Sequence, residues 1–380
     1  MRRKSYRLSE EGLGTLIGQL RNRNYQVYGP RADDFALHWR PIESVEDLPR
    51  GWTQELAPGR ARLVPGESTA MFHHWTCAEG LKAILHLPVV RILAAERDNG
   101  AFRILDNPLP AEKCAFLGVR PCDLAALAVL DRVLLGDRNA DDIYRARRQN
   151  AFLIAMHCQQ SAPTCFCASM GSGPRARSGF DIALAEFVEG GVPEFFAEAG
   201  SDAGLELLES CGATPAPPEW NRAVEAGCTR AAAAQTRRLD VNAAPQLIDA
   251  MFDSPHWDAV ARRCLACGNC TSVCPTCFCV NYEDRTSIDG RRAERWRLWD
   301  SCFTQSFTYI HGGSIRSSVK SRYRQWLSHK LARWQAQFGT PGCVGCGRCI
   351  AWCPAGIDIT EEFRQLQLSA AAAASLPMKD

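Results

Sequence analysis

The feature that most constrains this chain is a cysteine motif that occurs twice. Four cysteines at spacings x2-x2-x3, the last followed by proline, begin at Cys264 and again at Cys343. This is the bacterial ferredoxin spacing, in which thiolates hold a [4Fe–4S] cluster. The short spacers let the backbone wrap around one face of a cubane. Gly268, Gly345 and Gly347 permit conformations that bring amide groups close to sulfur. We therefore predict two [4Fe–4S] clusters.

The fourth cysteine of each motif predicts an exchange of ligands between the two clusters, since in two-cluster ferredoxins it ligates the other cluster. The ligands of the first cluster, the first cysteine set, are then Cys264, Cys267, Cys270 and Cys353. Those of the second cluster, the second cysteine set, are Cys274, Cys343, Cys346 and Cys349. A pair of zinc sites is the alternative, because Cys-x2-Cys pairs also suit tetrahedral zinc, but zinc sites rarely use two complete motifs of this kind.

A second concentration of cysteines lies upstream, where PTCFC at 163–167 repeats PTCFC at 275–279. The apolar run CAFLGV predicts a buried strand before a helix that starts near Cys122, and NAFLIAM predicts a strand leading to Cys158. Ligands in open α/β sheets gather at the carboxyl ends of strands. We therefore predict a third [4Fe–4S] cluster held by the third cysteine set, which is Cys122, Cys158, Cys165 and Cys167. Burial as small core hydrophobes is the alternative. Arg120 is expected either to stabilise cluster charge or to be solvated or salt-bridged.

The remaining cysteines have weaker assignments. Cys77 and Cys211 are expected to be core or surface thiols, because free cysteine is often a small buried hydrophobe. Cys277, Cys279 and Cys302 supply three thiols without an evident fourth. We expect them to pack around the clusters or support them rather than to hold another complete cluster.

The nineteen cysteines among 380 residues indicate a reducing compartment. Their odd total and ligand-like spacings argue against disulfide pairing, and the basic N-terminus is followed by no apolar stretch of the kind that export signals need. No apolar run approaches the roughly 20 residues of a membrane helix. The net charge of +2 gives no electrostatic case for nucleic acid. We expect a cytoplasmic protein that binds neither membrane nor nucleic acid.

Patterns along the chain predict its organisation. We expect an α+β or α/β N-terminal domain over residues 1–213 and a linker with a helical segment over 214–255. A ferredoxin-like dicluster domain is expected over 256–365, with a long helical insert over 281–340. A frayed tail is expected over 366–380, since it is rich in small residues.

The insert is unusual in its charge, since residues 301–340 contain no Asp or Glu. Its basic residues are interleaved with Trp326 and Trp334. They are Arg316, Lys320, Arg322, Arg324, Lys330 and Arg333. One interpretation is a docking face for an acidic protein partner, and the other is an ordinary solvated helix face with buried tryptophans.

The order of these motifs resembles a known family. GVRPCDLAAL, TCFCASMGSGP, CLACGNCTSVCPTCFC and CVGCGRCIAWCPAGIDI follow one another over residues 114–359. In that order they resemble the iron–sulfur beta subunit of soluble multi-subunit [NiFe] hydrogenases (sulfhydrogenases). They are also similar to the electron-transfer subunit of anaerobic sulfite reductase. The first 110 residues carry no motif that adds to the resemblance.

The resemblance implies a non-catalytic electron-transfer subunit of a hetero-oligomer. Such a subunit passes electrons between a flavin/NAD(P)-binding partner and the catalytic subunit of a hydrogenase, or alternatively of a sulfite reductase or related sulfur-reducing complex. The chain carries no GxGxxG fingerprint and no P-loop, which agrees with a flavin and nicotinamide held by a partner. A redox-sensing regulator is the alternative from another class. It would need a DNA-binding or effector module, and none is evident in the sequence.

Overall fold

The computed structural model describes residues 4–33, 35–98, 100–106, 110–136 and 139–374. Its strands are β1 (Ser5–Ser9), β2 (Gln26–Ala32), β3 (Leu37–Pro41), β4 (Trp52–Ala57), β5 (Arg60–Pro65), β6 (Val89–Asp98), β7 (Ala101–Ile104), β8 (Cys114–Val119), β9 (Ala151–Met156), β10 (Ile182–Glu189), β11 (Val192–Ala199), β12 (Thr214–Pro215), β13 (Val280–Thr286), β14 (Arg292–Trp299), β15 (Tyr309–Ile310) and β16 (Gly313–Ser314). Its α-helices are α1 (Glu10–Asn22), α2 (Lys82–Leu85), α3 (Pro121–Leu134), α4 (Asp142–Gln149), α5 (Asp202–Ser210), α6 (Pro218–Ala233), α7 (Ala244–Ala250), α8 (His256–Arg263), α9 (Asn269–Ser272), α10 (Val319–Ser328), α11 (Trp334–Phe338), α12 (Arg348–Ala351) and α13 (Ile359–Ala374). Short 3₁₀ turns lie at Val45–Asp47 and Gln305–Thr308, and a π-helical turn at His329–Arg333 joins α10 to α11.

The largest sheet has eight strands in the order β12-β1-β11-β10-β9-β8-β2-β3. Its four central strands, β2, β8, β9 and β10, run parallel. The outer strands pair antiparallel at both sides. Parallel strands need crossover connections, and α3 and α4 supply the one between β8 and β9, whereas the loop that carries Cys158, Cys165 and Cys167 connects β9 to β10. The result is the mixed α/β arrangement that the alternation of apolar runs and helical patterns predicts.

Both faces of this sheet are buried, which explains why its central strands are continuously apolar. Because side chains alternate across a strand, Ala115 and Leu117 of β8 pack with the leucines of α1 and α5. Cys114 and Phe116 point to the opposite face, where they pack with α3. The parallel strands β8 and β9 end at the same edge of the sheet, and the loops that follow them carry cysteines of the third set.

A second, four-stranded antiparallel sheet joins distant parts of the chain in the order β13-β14-β6-β7. The β13–β14 hairpin turns at Gly290, whose φ of +66° favours glycine, and β14 then pairs along β6. The expectation of a helical insert over 281–340 is therefore wrong for its first half. The pairing with β6 stabilises strands there, and helices begin only at α10.

The C-terminal part is largely helical and surrounds an aromatic core. Helices α8, α10 and α13 contribute Trp257, Trp326 and Phe363, and Leu331 of the π-helical turn completes the centre. Five of the eight ferredoxin-type cysteines lie at the edge of this core, namely Cys264, Cys270, Cys343, Cys349 and Cys353. This packing places two loops, residues 264–275 and 343–354, next to each other.

The C-terminal tail departs from the expectation of fraying. Helix α13 continues through Ala374, because it ends in a run of alanine, the residue with the highest helix propensity. Residues 375–380 lie outside the described residues. Within the described ranges, no helix has both the length and the apolar character that crossing a bilayer requires.

Candidate metal centre

The two ferredoxin-type loops share one backbone conformation. The residue before the second cysteine has a positive φ in both, +52° at Ala266 and +65° at Gly345. The residue after that cysteine does too, with +74° at Gly268 and +76° at Gly347. These left-handed positions fold each loop tightly enough to direct its three cysteines towards one centre. The repeat in the sequence is thus a repeat in structure.

The first cysteine set surrounds one cavity. Its lining includes all four members of the set, which are Cys264, Cys267, Cys270 and Cys353. The backbone N–H of Ala266 donates to Cys264 Sγ at 3.4 Å, and that of Ile357 donates to Cys353 Sγ at 3.4 Å. Burial raises the pKa of Cys270, whereas Cys267 is exposed to solvent. The fourth cysteine of the second loop therefore does reach the three cysteines of the first.

The second cysteine set is more deeply enclosed. Burial, and then the charges of Cys343 and Cys346, raise the pKa of Cys349, so these thiols are close neighbours. The charge of Cys274, which belongs to the first loop, also raises the pKa of Cys349. The backbone N–H of Gly345 donates to Cys343 Sγ at 3.4 Å, which is the amide–sulfur contact that the glycine predicts. The structure brings the four thiols of the set together.

Cys274 has a buried cation against its sulfur. Lys330 Nζ donates to Cys274 Sγ at 3.0 Å and to Thr276 Oγ1 at 3.2 Å. A hydrogen bond from Cys277, together with the Lys330 charge, holds the pKa of Cys274 well below its usual range. The sequence analysis grouped Lys330 with the basic residues of either a docking face or a solvated helix face. A signal was present, since it lies four residues from both Trp326 and Trp334, so helical spacing puts all three on the buried side.

The third cysteine set is assembled at the edge of the eight-stranded sheet. Cys122 lies in the first turn of α3, Cys158 follows β9, and Cys165 and Cys167 lie in the next loop. Burial, and then the charges of Cys167 and Cys158, raise the pKa of Cys165. Burial raises the pKa of Cys167 to about 12, although Gln235 Nε2 donates to its sulfur at 3.2 Å. The structure therefore places these three thiols together, with Cys122 packed against Cys167.

The second and third sets are in direct contact through their loops. The N–H of Phe166 donates to the carbonyl of Gly345 at 2.9 Å, and Ser172 Oγ donates to the carbonyl of Val344 at 2.5 Å. Cys346 packs in the same cluster of side chains as Cys122. The loop that repeats the PTCFC sequence thus lies directly on the second ferredoxin loop.

Two buried arginines, Arg348 and Arg120, stabilise the region where the second and third cysteine sets meet. Arg348 and Asp123 form an ion pair that is almost completely buried, with side chains 0% and 2% exposed and an N–O distance of 2.8 Å. Arg348 Nε also donates to the carbonyl of Cys77 at 2.9 Å. Arg120 is buried and donates through Nη2 to the carbonyls of Phe72 and His74. Burial raises the pKa of Cys158 and the charge of Arg120 opposes this rise, so Arg120 lies near this thiol and is buried rather than solvated.

The basic stretch of the insert is mostly neutralised within the chain. Lys320 pairs with Asp258 at 2.8 Å, Arg324 with Asp253 at 3.5 Å, and Arg333 with Asp249 at 2.5 Å. Trp326 and Trp334 are buried, as the interpretation of a helix face with core tryptophans predicts. These carboxylates lie on and next to α7 and α8 and neutralise three of the six basic residues. The charge available for a docking face is reduced accordingly.

Five of the seven cysteines outside the three sets were given expectations, and they fall into two groups. Cys77 and Cys211 are buried in the apolar core, as expected. Cys279 and Cys302 are hydrogen-bonded to each other, and this bond lowers the pKa of Cys279 to about 7 while it raises that of Cys302. Cys277 bonds to Cys274. The sequence analysis expected these three to pack around the clusters or support them, but it did not predict the pairing of Cys279 with Cys302, because that pairing depends on the β13–β14 hairpin.

All nineteen cysteines are free thiols. Among the described residues, no three or more His, Cys, Asp or Glu side chains are arranged to hold a single metal ion. The first set instead lines a shared cavity, with backbone N–H groups directed at sulfur. Buried thiols with amide donors at sulfur are the environment that an iron–sulfur cubane requires. The residues present fit such a group.

Comparison with known proteins agrees with this geometry. Residues 263–357 match the family model of a 4Fe-4S dicluster domain. The chain is 34% identical over 347 residues to the sulfhydrogenase 2 subunit beta of Pyrococcus furiosus, covering 90% of this chain and 92% of that protein. The chain belongs to the sulfhydrogenase beta-subunit family. No solved structure matches it.

Membership of the sulfhydrogenase beta-subunit family fixes the general character of the chain. Its dicluster domain indicates [4Fe–4S] clusters and supports an iron–sulfur electron-transfer role, and its relative in Pyrococcus furiosus is the beta subunit of a sulfhydrogenase. The family match extends through the N-terminal region, which carries the third cysteine set, whereas the dicluster model covers the two ferredoxin loops alone.

Proposed function

We propose that the chain relays electrons through three [4Fe–4S] clusters, one held by each cysteine set. In this proposal it works in the cytoplasm, between a flavin/NAD(P)-binding partner and the catalytic subunit of a soluble [NiFe] hydrogenase. The observation that carries the proposal is the continuity of the three sets. The cavity of the first set is also lined by Cys349 of the second, and the second and third sets share one packed group of side chains.

The order of the relay follows from these contacts. The first set opens to solvent at Cys267, the second set lies in the interior, and the third set lies at the edge of the large sheet. Electrons that enter at either end reach the other through the second set. We propose that the two ends are the docking points of the two partners.

The chain's own residues control how readily each site accepts an electron. A [4Fe–4S] cluster, when bound, accepts and donates single electrons and becomes more negative on reduction. The amide of Gly345 at Cys343 and the ammonium of Lys330 at Cys274 offset negative charge at the second set. At the third set, Gln235 donates to Cys167 and the charge of Arg120 acts on Cys158. No acid, base or nucleophile is needed for this task.

Metal content of the anaerobically purified chain tests the number of clusters. Three clusters require about twelve irons and as many sulfides per chain. Cys165→Ser should leave about eight irons, while Cys211→Ser, which changes a core thiol outside the three sets, should leave about twelve. Eight irons in the wild type would remove the third cluster from the proposal, and zinc in place of iron would end it.

The proteins that co-purify with the chain test the partners. A nickel-containing protein together with a flavoprotein is the expected result. A sirohaem-containing protein would replace the hydrogenase assignment with the sulfite reductase alternative.

A further inference from the structure

Cys279 and Cys302 belong to none of the three sets, yet the fold places them in contact. Cys279 immediately precedes β13, and Cys302 follows β14 by three residues. The hairpin aligns these ends, since Val280 pairs with Trp299 and the N–H of Asp300 donates to the carbonyl of Cys279 at 2.9 Å. The register of this hairpin therefore brings the two cysteines to the same end of it. Cys302 is near enough to lower the pKa of Cys279.

This pair lies between the first cluster site and an open cavity. A cavity of about 290 Å³ is lined by Cys279, Cys277, Lys82 and Cys267, the exposed member of the first set. On its other side Cys302 is close enough to Cys270 for their charges to interact. The pair is therefore next to an electron carrier and in reach of a small molecule.

Two buried lysines surround the same thiols. Lys82 is 4% exposed, and its Nζ lies 4.0 Å from the centre of the Trp299 ring and donates to the carbonyls of Thr271 and Ser272. Lys330 is also buried, and its charge acts to lower the pKa values of Cys279 and Cys302 in addition to that of Cys274 in the second set. Positive charge beside a thiol favours the thiolate, which is the reactive form in disulfide exchange.

We propose that Cys279 and Cys302 form a redox-active dithiol that takes electrons from the neighbouring cluster and reduces a low-molecular-weight disulfide in this cavity. The inference rests on the proposed function, because the electrons come from the reduced clusters. It assigns the cavity a substrate class and gives Cys279 and Cys302 a task.

The exchange conserves atoms and electrons. The Cys279 thiolate attacks one sulfur of the substrate disulfide and releases the other sulfur as a thiolate. Cys302 then attacks Cys279 Sγ in the mixed disulfide, which releases the second thiolate and leaves a Cys279–Cys302 disulfide. Two electrons, passed singly from reduced clusters, and two protons from solvent reopen that bond. The net change is one disulfide, two electrons and two protons converted to two thiols.

Reductive titration of the whole anaerobic protein tests the dithiol. Thionine-oxidised wild type should take up two more electrons per chain from dithionite than Cys302→Ser, because only the wild type closes the disulfide. Cys211→Ser is the matched control and should equal the wild type. Iron content should be the same in all three proteins.

The other possible results of the titration overturn either the dithiol or the proposed function. Equal electron uptake by wild type and Cys302→Ser, with iron intact, overturns the dithiol. Loss of about four irons in Cys302→Ser also overturns it, because the thiol then belongs to a cluster. A wild type without iron overturns the proposed function instead, so the two failures are distinguishable.

Cystamine, a small symmetric disulfide, tests the substrate class. Addition of cystamine to the dithionite-reduced protein, freed of excess dithionite, should reoxidise its clusters and restore their visible absorption. Cys279→Ser should slow this at least about tenfold, while Cys211→Ser should not. Reoxidation at the same rate in Cys279→Ser, or none in the wild type, overturns the assignment of the cavity.

Discussion

The two ferredoxin-type loops have the same spacing and the same backbone, but they occupy opposite environments. In the first loop Leu265 is 66% exposed and Cys267 is open to solvent. At the matching place in the second loop Val344 is 5% exposed, packed against Cys122 and Trp334. The motif thus determines how the thiols are held, while the surroundings determine whether a site lies at the surface or inside the relay.

Matched positions show how the second loop is adapted to its interior place. The left-handed position of the first loop tolerates alanine, Ala266, whereas a Cβ at Gly345 would lie 2.7 Å from the backbone of Phe166. The next matched pair is Asn269, which donates to the carbonyl of Trp352, and Arg348, which pairs with buried Asp123. The differences in sequence between the loops follow what packs on them.

The largest expected difference is between Arg348 and its counterpart Asn269. Arg348→Ala should lower the free energy of unfolding by about 3–5 kcal/mol, because it leaves the carboxylate of Asp123 buried without its partner. Asn269→Ala removes a neutral hydrogen bond and should cost about 1 kcal/mol. The shift of the urea midpoint, measured anaerobically on both variants, checks this. Equal shifts would mean that the ion pair does not hold the two cluster regions together.

A methyl group added at Gly345 tests the contact between the second loop and the third cysteine set. Gly345→Ala should destabilise the chain by about 2–4 kcal/mol, since it adds strain at a positive φ to a collision with the backbone of Phe166. The reverse change in the first loop, Ala266→Gly, relieves strain and should stay within about 1 kcal/mol of the wild type. Thermal unfolding together with iron content measures both. A stable Gly345→Ala protein with full iron would contradict the tight junction.

Local patterns in the sequence predicted the elements that depend on local physics. The two motifs located both loops, because glycine positions and two-residue spacers directly encode the backbone turn. Apolar runs predicted β8 and β9, and the end of a strand together with the start of a helix placed Cys122 and Cys158 at one sheet edge. The PTCFC repeat marked the loop that completes the third set.

Elements that depend on distant partners could not be predicted in this way. The strand β14 pairs with β6, about two hundred residues earlier in the chain, and no local pattern in the charged hairpin indicates that partner. The ion pair of Arg348 with Asp123 joins regions separated by 225 residues. Lys330 was misplaced because its charge suggested solvent, although its spacing from two tryptophans indicated the core. A buried lysine becomes plausible only when a group of thiolates is near it.

A buried cation distinguishes the second site from the first electrostatically. Burial acts to lower the pKa of Lys330, but the charges of Cys274 and Cys277 hold it well above its usual range, so the ammonium stays charged. Positive charge stabilises the reduced, more negative cluster. Lys330→Met removes a charge-assisted hydrogen bond worth about 1.5–3 kcal/mol, and should therefore lower the potential of the second cluster by roughly 60–130 mV.

Redox titration followed by electron paramagnetic resonance measures that shift. Lys320→Met is the control, because Lys320 is a partly exposed lysine paired with Asp258 rather than with a cluster ligand. It should leave all potentials nearly unchanged. A shift of the first cluster equal to that of the second would show that Lys330 acts through the general field of the chain and not through Cys274.

The smallest difference is expected at the residue after the first cysteine of each loop, an apolar side chain that is exposed in the first loop and buried in the second. Val344→Ala removes about two methylene equivalents from a packed site and should cost about 1–2 kcal/mol of unfolding free energy. Leu265→Ala shortens a side chain that already faces water and should stay within about 0.5 kcal/mol. Anaerobic urea unfolding of both variants measures the difference. If Leu265→Ala left stability unchanged but slowed electron exchange with a co-purified partner, the exposed leucine would belong to a docking surface at the first cluster. An equal loss of stability in both variants would instead place the first loop in an environment as closed as the second.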